Sequence, residues 1–335
     1  MKLILNENSD ILKLNLQDQT FEWTYFETEF LFQDEQYNLV IIFSNGLFLS
    51  PDFYSRNHKP NLNISLQNKD KNIFFSYQDY ADITFENNKL KLGDSTITYL
   101  PEGVREISLS AKDFVGHEIK VEVTFYPKYI VQKAELSFAS QSSDRIEWGL
   151  ASLDYRCVGS LKMGDTYLEI NSEHNYHDYN YGEAEYFYQN IKKWFWFRNK
   201  NQAFLQLDFL HDEPMVNVLL KEESDDIQVK INVPFDILKQ KLNRMLVRYP
   251  QIFTLNSEKY KSDYDLDFKM QVARMLFPNA FYTRRHFCSY SSSQGSGTLE
   301  IFYPQRMKSK LLRFAFEQGV HKEKRNIFSK LILRP

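Results

Sequence analysis

The sequence predicts an all-β chain of two consecutive β-barrel or sandwich domains with few short helices, on three observations. Apolar residues alternate with polar ones at period two, polar turn clusters separate the alternating runs, and one two-strand pattern occurs in each half of the chain. Many short strands at such spacing suit barrels and sandwiches rather than β-α-β units.

Taken in order, Phe21-Glu22-Trp23-Thr24-Tyr25-Phe26 leads through a polar turn into the apolar strand Tyr37 to Phe43. Glu86-Asn87-Asn88-Lys89 marks a hairpin between Ile83-Thr84-Phe85 and Leu90-Lys91-Leu92. Ile119, Val121, Val123 and Phe125 alternate with Lys120, Glu122 and Thr124, a strand with one buried face. Trp194-Phe195-Trp196-Phe197, a turn at 198–201, and Ala203 to Leu207 repeat the opening pattern of a Trp-bearing strand, a turn and an apolar strand. This echo places a boundary near residue 186 and predicts domains at 1–185 and 186–335. Behind Pro234, the helical spacing of Phe235, Leu238, Leu242, Met245 and Leu246 predicts one helix over 235–247, packed on a barrel end. Tyr264, Leu266, Phe268, Met270 and Val272 alternate as a further strand. Ser291 to Gly297 has glycines but neither a following helix nor a Lys, so it reads as a hairpin loop rather than a phosphate cradle.

Composition narrows the function classes. A net charge of −3 gives no broad attraction to nucleic acid. With 28 Phe and 21 Tyr against 11 Gly, the chain can bury large flat surfaces, either as its own core or around an apolar ligand. Cys157 and Cys288 are too few for a disulfide framework and lack metal spacing. The N-terminal residues turn polar before a signal-peptide core could develop, and no run approaches the roughly 18 apolar residues of a membrane helix. The expectation is a cytoplasmic protein with no integral membrane segment.

The densest chemistry lies at Asn175-Tyr176-His177-Asp178-Tyr179-Asn180-Tyr181-Gly182, with Trp194-Phe195-Trp196-Phe197-Arg198 a dozen residues on. On a strand, His177, Tyr179 and Tyr181 share one face while Tyr176, Asp178 and Asn180 share the other. Only one of these sets can line a given cavity. His174 and His177 fall on opposite faces, which argues against a metal site there. Arg284-Arg285-His286 reads as solvated charge at a strand end.

These residues resemble those of the carotenoid 1,2-hydratase family, or hydroxyneurosporene synthases, with their lipocalin-like relatives of the AttH type. Phe21 to Phe26 is similar to the family's Glu-Trp-Trp-Tyr-Phe opening, Tyr176 to Gly182 to Tyr-His-Asp-His-Asn-Trp-Gly, Trp194 to Trp196 to Trp-x-Trp, and Pro278 to Arg284 to a late Pro-Phe-Tyr-Ala-Arg element. The resemblance implies two lipocalin-like β domains. It also implies water addition to an acyclic polyene without a cofactor, although the same fold serves tocopherol cyclase-like and Diels-Alderase-like proteins. The family's catalytic His and Trp fall on Tyr179 and Tyr181, and its later Tyr-x-Asp falls on Gln206-Leu207-Asp208, so only the carboxylate is kept.

Protonating an alkene needs an acid that stays protonated near neutral pH, which desolvation supplies. Asp208, among apolar neighbours in Phe204 to Leu210, is the expected acid, with Tyr179, Tyr181 and His177 as further catalytic candidates. Gln206, Trp194, Trp196, Tyr176, Trp23 and Tyr282 are expected to bind substrate, their aromatic faces stabilising a cation. No metal and no cofactor enter this reading. Two functions stand: a hydratase or cyclase for an apolar polyene, isoprenoid or polyketide-like molecule, including shape-enforced cyclisation, and a non-catalytic carrier of a hydrophobic metabolite. Either could touch a membrane transiently during uptake.

Overall fold

The structure, a computed structural model, describes residues 2–5, 11–12, 14, 20–45, 59–68, 71–113, 116–129, 134–137, 146–183, 186, 193–199, 204–210, 216–223, 226–231, 235–242, 248–257, 260–264, 282–288, 296–302 and 309. The chain forms two compact units, Met1–Glu185 and Tyr186–Pro335.

Unit 1 is a curled, almost wholly antiparallel sheet. Its strands are β1 (Lys2–Leu5), β2 (Thr20–Phe32), β3 (Glu35–Asn45), β4 (Asn61–Asn68), β5 (Lys71–Asp79), β6 (Thr84–Glu86), β7 (Lys89–Leu92), β8 (Ser95–Tyr99), β9 (Arg105–Lys112), β10 (Glu118–Pro127), β11 (Ala134–Ser137), β12 (Ile146–Leu150), β13 (Tyr155–Met163) and β14 (Thr166–Glu183). The main order is β5-β4-β3-β2-β14-β13-β10-β9-β8-β7-β6. β12 adds to β14, and β1 runs parallel to β12. Side chains help to bend β5 back onto β9: Ser76 Oγ and Gln78 Nε2 both donate to the Lys112 carbonyl, at 2.7 and 3.3 Å.

Alternation builds the core of this unit. On β10, Ile119, Val121, Val123 and Phe125 are buried while Lys120 and Glu122 are exposed. Phe26 and Phe30 of β2, Leu39, Ile41 and Phe43 of β3, Leu62, Ile64 and Leu66 of β4, and Tyr179 of β14 join them in one cluster. The 18-residue β14 organises the sheet. Its first half pairs with β13, and its second half lies between β12 and β2, with Tyr179 opposite both Gly149 and Thr24. Gly182 ends the dense motif for a steric reason: the ring of its cross-strand partner Phe21 lies over it, and a Cβ there would come within 2.6 Å of Phe21 Cζ.

Unit 2 is also built of antiparallel strands: β15 (Lys193–Asn199), β16 (Phe204–Leu210), β17 (Val216–Glu223), β18 (Asp226–Ile231), β19 (Phe235–Leu242), β20 (Arg248–Ser257), β21 (Tyr260–Tyr264), β22 (Tyr282–Cys288) and β23 (Ser296–Phe302). They form a sheet of order β18-β17-β16-β15-β23-β22 and a second of order β19-β20-β21.

The helix expected from Phe235 is instead strand β19. Its register against β20 shifts between Ile237 and Lys239 and again between Lys239 and Gln240. A β-bulge breaks strict period-two alternation, so a bulged strand gave Phe235, Leu238 and Leu242 the spacing of a helix face. Residues 243–247 lie outside the described residues, as does the alternating run after Tyr264. Among the described residues no helix is long and apolar enough to cross a membrane.

Candidate functional site

The two faces of β14 have different surroundings. His177 and Tyr179 point into the core of unit 1 and are wholly buried, and Tyr181 is half-buried at its edge. The His177 ring lies flat on Phe26, with centroids 3.8 Å apart and planes at 2°, and meets Tyr155 at 5.9 Å. Its Nδ1 is 3.0 Å from the Tyr25 carbonyl oxygen. A carbonyl only accepts, so Nδ1 carries the proton.

Beside it, Tyr179 Oη is 3.3 Å from Glu22 Oε2, and the Leu14 amide donates to Glu22 Oε1 at 2.8 Å. Glu22 is wholly buried. Register aligns Glu147, Tyr181 and Glu22 across β12, β14 and β2, so two buried carboxyls flank a phenol in one row. Burial holds the Tyr179 hydroxyl well above the usual phenol range, and the charges of Glu22 and Glu147 push it further. Burial also raises Tyr181, against a hydrogen bond with Thr20, and Glu147, Glu183 and Glu22 add to the rise. The cluster lies where the core meets part-exposed Asn45, Tyr181 and Glu183, and mouths of barrels commonly hold ligands.

These shifts set a sign for pH. Burial pushes the Cys157 thiol up to about 12. Below about pH 9 the folded and unfolded chains both keep the thiol and phenol protons; above it the unfolded chain loses protons that the fold retains. Stability is therefore expected to fall as pH rises through 9 to 12, by up to about 1.4 kcal/mol per pH unit for each of the two buried groups, Cys157 and Tyr179. Urea midpoints across that range check this, and Tyr179→Phe is expected to flatten the slope above pH 10. A slope unaltered by Tyr179→Phe would contradict the shift.

On the other face, Asp178 receives three donors: Tyr176 Oη at 2.8 Å and Trp148 Nε1 at 3.1 Å on Oδ2, and Asn180 Nδ2 at 3.0 Å on Oδ1. The arrangement employs Asp178 as an acceptor that ties β12 to β14. Glu27, across from Tyr176, likewise accepts from Asn38 Nδ2 at 3.0 Å and Tyr25 Oη at 3.3 Å. The face continues over β3 and β4, where Ser44 Oγ and Asn63 Nδ2 donate to Asn61 Oδ1 at 2.6 and 2.7 Å. Trp23 also lies on this face, buried, with Phe21 stacked at 5.0 Å.

The remaining candidates belong to unit 2. Asp208 and Gln206 lie on β16: Asp208 pairs with Phe195 and Asn217, and Gln206 with Phe197 and Leu219. Trp194 and Trp196 pair instead with Phe209 and Leu207, so they hold the alternate register positions. Trp196 and Arg198 are buried, and Tyr282 begins β22 opposite Phe302. The structure thus gathers His177, Tyr179 and Tyr181 on one face of unit 1, places Tyr176 and Trp23 on the other, and carries Asp208, Gln206, Trp194, Trp196 and Tyr282 on unit 2 strands.

Glu22, Glu147 and Glu27 are the residues that sequence reasoning missed. Glu22 had a signal, as the lone charge in Thr20 to Phe26. Glu147 had none, because its partner Tyr181 is distant in sequence. His174, considered for a metal, lies on the outside and bonds Asp154 Oδ2 at 2.9 Å. No group of three or more His, Cys, Asp or Glu side chains able to hold a metal occurs among the described residues.

No protein-family model matches the chain, and no curated protein matches it. Solved structures do. The fold is similar to that of an AttH protein from Nitrosomonas europaea, with TM-score 0.57 and 12% identity over 85% of this chain and 92% of the other. It is similar to CghA solved with Sch210972, with TM-score 0.54 and 6% identity over 90% and 98%. Kievitone hydratase from Nectria haematococca aligns at TM-score 0.46 and 12% identity over 85% and 89%. The all-β, lipocalin-like fold is therefore shared with the first two over nearly their whole lengths.

Proposed function

We propose that the chain is a cofactor-independent hydratase or cyclase for an apolar polyene, isoprenoid or polyketide-like molecule, built from two lipocalin-like β domains and working in the cytoplasm. The observation that carries this reading is the Glu22–Tyr179 pair, 3.3 Å apart and buried at the edge of an apolar core. A phenol oxygen both donates and accepts, so Tyr179 Oη, which donates to Glu22 Oε2 in this geometry, can instead accept from Glu22 when the carboxyl is protonated, the state in which it acts as the acid.

In this mechanism Glu22 gives its proton to one alkene carbon, and the adjacent carbon becomes cationic. Tyr181 presents a ring face to that charge. Attack by water, whose proton returns to the carboxylate, makes a hydratase; capture by an internal hydroxyl, or by an internal alkene whose new cation then loses a neighbouring C–H proton, makes a cyclase, the released proton again returning to the carboxylate. Asp208, assigned by resemblance to the carotenoid hydratases, is the second candidate acid. Support for a bound small molecule comes from fold similarity to CghA, which was solved with Sch210972.

The test is to identify small molecules extracted from the purified protein and to incubate acyclic polyenes with it in heavy water. Deuterated, hydrated or cyclised product is expected, and Asp208→Asn separates the two acids by its turnover. Tight binding with neither deuteration nor rearrangement would make the chain a carrier.

A further inference from the structure

We propose that Asp154, His174 and Lys128 form a second reactive site, on the outer surface of unit 1, that hydrolyses esters of phenols. The proposal does not rest on the hydratase or cyclase reading, which concerns the core side of the sheet.

A β-bulge creates the arrangement. Between the pairs Tyr155–Asn175 and Cys157–Ser172, Arg156 of β13 stands against two residues of β14, Glu173 and His174. Such bulges re-aim side chains and recur beside active sites. Strict alternation would turn one of the two inward, yet both are exposed. His174 is thereby brought over Asp154, the residue before β13, and its Nδ1 lies 2.9 Å from Asp154 Oδ2.

Asp154 is placed to orient the imidazole. Its side chain is wholly buried, while that of His174 is 47% exposed. Its backbone is also held: the Asp154 amide donates to Ser152 Oγ at 3.3 Å, and its carbonyl accepts from Ser152 Oγ at 2.8 Å and from the Lys128 amide at 2.9 Å. A carboxylate only accepts, so Nδ1 carries the proton and the lone pair is left on Nε2. That nitrogen has no hydrogen-bond partner among the described residues. A fixed acceptor on one ring nitrogen and an open lone pair on the other make a general base.

Lys128 supplies positive charge beside it. Its Nζ lies 3.6 Å from the same Asp154 oxygen and 3.0 Å from Glu173 Oε2. An ammonium has three donors, so a third remains for an oxygen that turns negative during reaction. Tyr126 of β10, the cross-strand partner of Arg156, is 43% exposed and offers a flat surface to an aryl group.

In the reaction, His174 Nε2 takes a proton from water as the water oxygen bonds to the ester carbonyl carbon. The carbonyl oxygen becomes an oxyanion, which Lys128 Nζ receives. When the carbonyl re-forms, the bond to the phenol oxygen breaks and the imidazolium returns its proton to that oxygen. Ester and water become carboxylic acid and phenol.

The full-length protein is assayed with phenyl acetate by the release of phenol. His174→Gln is expected to lower kcat/KM by about 100-fold, the low end for positioned general-base catalysis. Asp154→Asn should lower kcat with KM unchanged, and Tyr126→Ala should raise KM with kcat unchanged. His174 is half-exposed, so its variant carries the test even where the buried substitution at Asp154 prevents folding. Hydrolysis by His174→Gln at the wild-type rate, or none by the wild type, overturns the proposal and leaves the pair as a structural tie. An unchanged KM in Tyr126→Ala overturns the choice of aryl esters.

Discussion

Asp178→Ala is expected to destabilise unit 1 by about 3 kcal/mol or more, because it strips the acceptor from three buried donors at once, each costing about 1 to 3 kcal/mol when left unpaired. The donors are Trp148, Tyr176 and Asn180, and none is more than 2% exposed. The costs are not additive, since the three share one partner and can relax together. Asp178→Asn keeps one acceptor oxygen but turns an amide toward a donor, so it should fall between alanine and wild type. Equilibrium unfolding in urea, followed by tryptophan fluorescence to which Trp148 and the three other tryptophans contribute, measures the loss. A loss below about 1 kcal/mol, within reach of ordinary substitutions, would mean that Asp178 does not tie β12 to β14.

Glu22→Gln is expected to act on turnover rather than on the fold. The amide keeps an oxygen for the Leu14 N–H, so the local structure survives while the transferable proton is gone. Positioned acid catalysis contributes about 10²- to 10⁴-fold, and turnover of a polyene should fall by that order with binding little changed. Tyr179→Phe removes only the hydroxyl that serves Glu22 and should cost less in rate. Parallel measurements of turnover and ligand affinity check both. Equal losses of rate and affinity would assign Glu22 to binding instead.

Much of the fold was legible because its strands follow simple alternation. Ile119 to Phe125 reads as a half-buried strand and is one. The motif from Tyr176 to Gly182 divides into two faces as period two requires, with Tyr179 in the core and Asp178 opposite. Phe235 to Leu242 misled because the register shift between Ile237 and Lys239, which leaves Leu238 as an extra residue in β19, broke the period-two rhythm of its apolar residues.

The site was less legible, for a different reason. Asn61, Asn63, Ser65 and Gln67 alternate with Leu62, Ile64 and Leu66, the pattern of a strand with one face in water. In the structure all seven are buried. Several of the polar four bond one another, as Asn63 does Asn61 and Gln67 does Ser65, so the strand tolerates cover on both faces. Alternation fixes which residues share a face but not whether that face meets solvent. Glu22 illustrates the same limit: its side could be read from the sequence, but its pairing with Tyr179, 157 positions away, could not.

The most direct test of the central claim is a single-turnover reaction in heavy water, with deuterium in the product quantified by mass spectrometry for wild type, Glu22→Gln and Asp208→Asn. Wild type should place one solvent deuteron on the former alkene carbon. Glu22→Gln should lose that label while still binding substrate, and Asp208→Asn should keep it. Full labelling by Glu22→Gln would contradict the assignment, and its loss from Asp208→Asn alone would move the acid to β16.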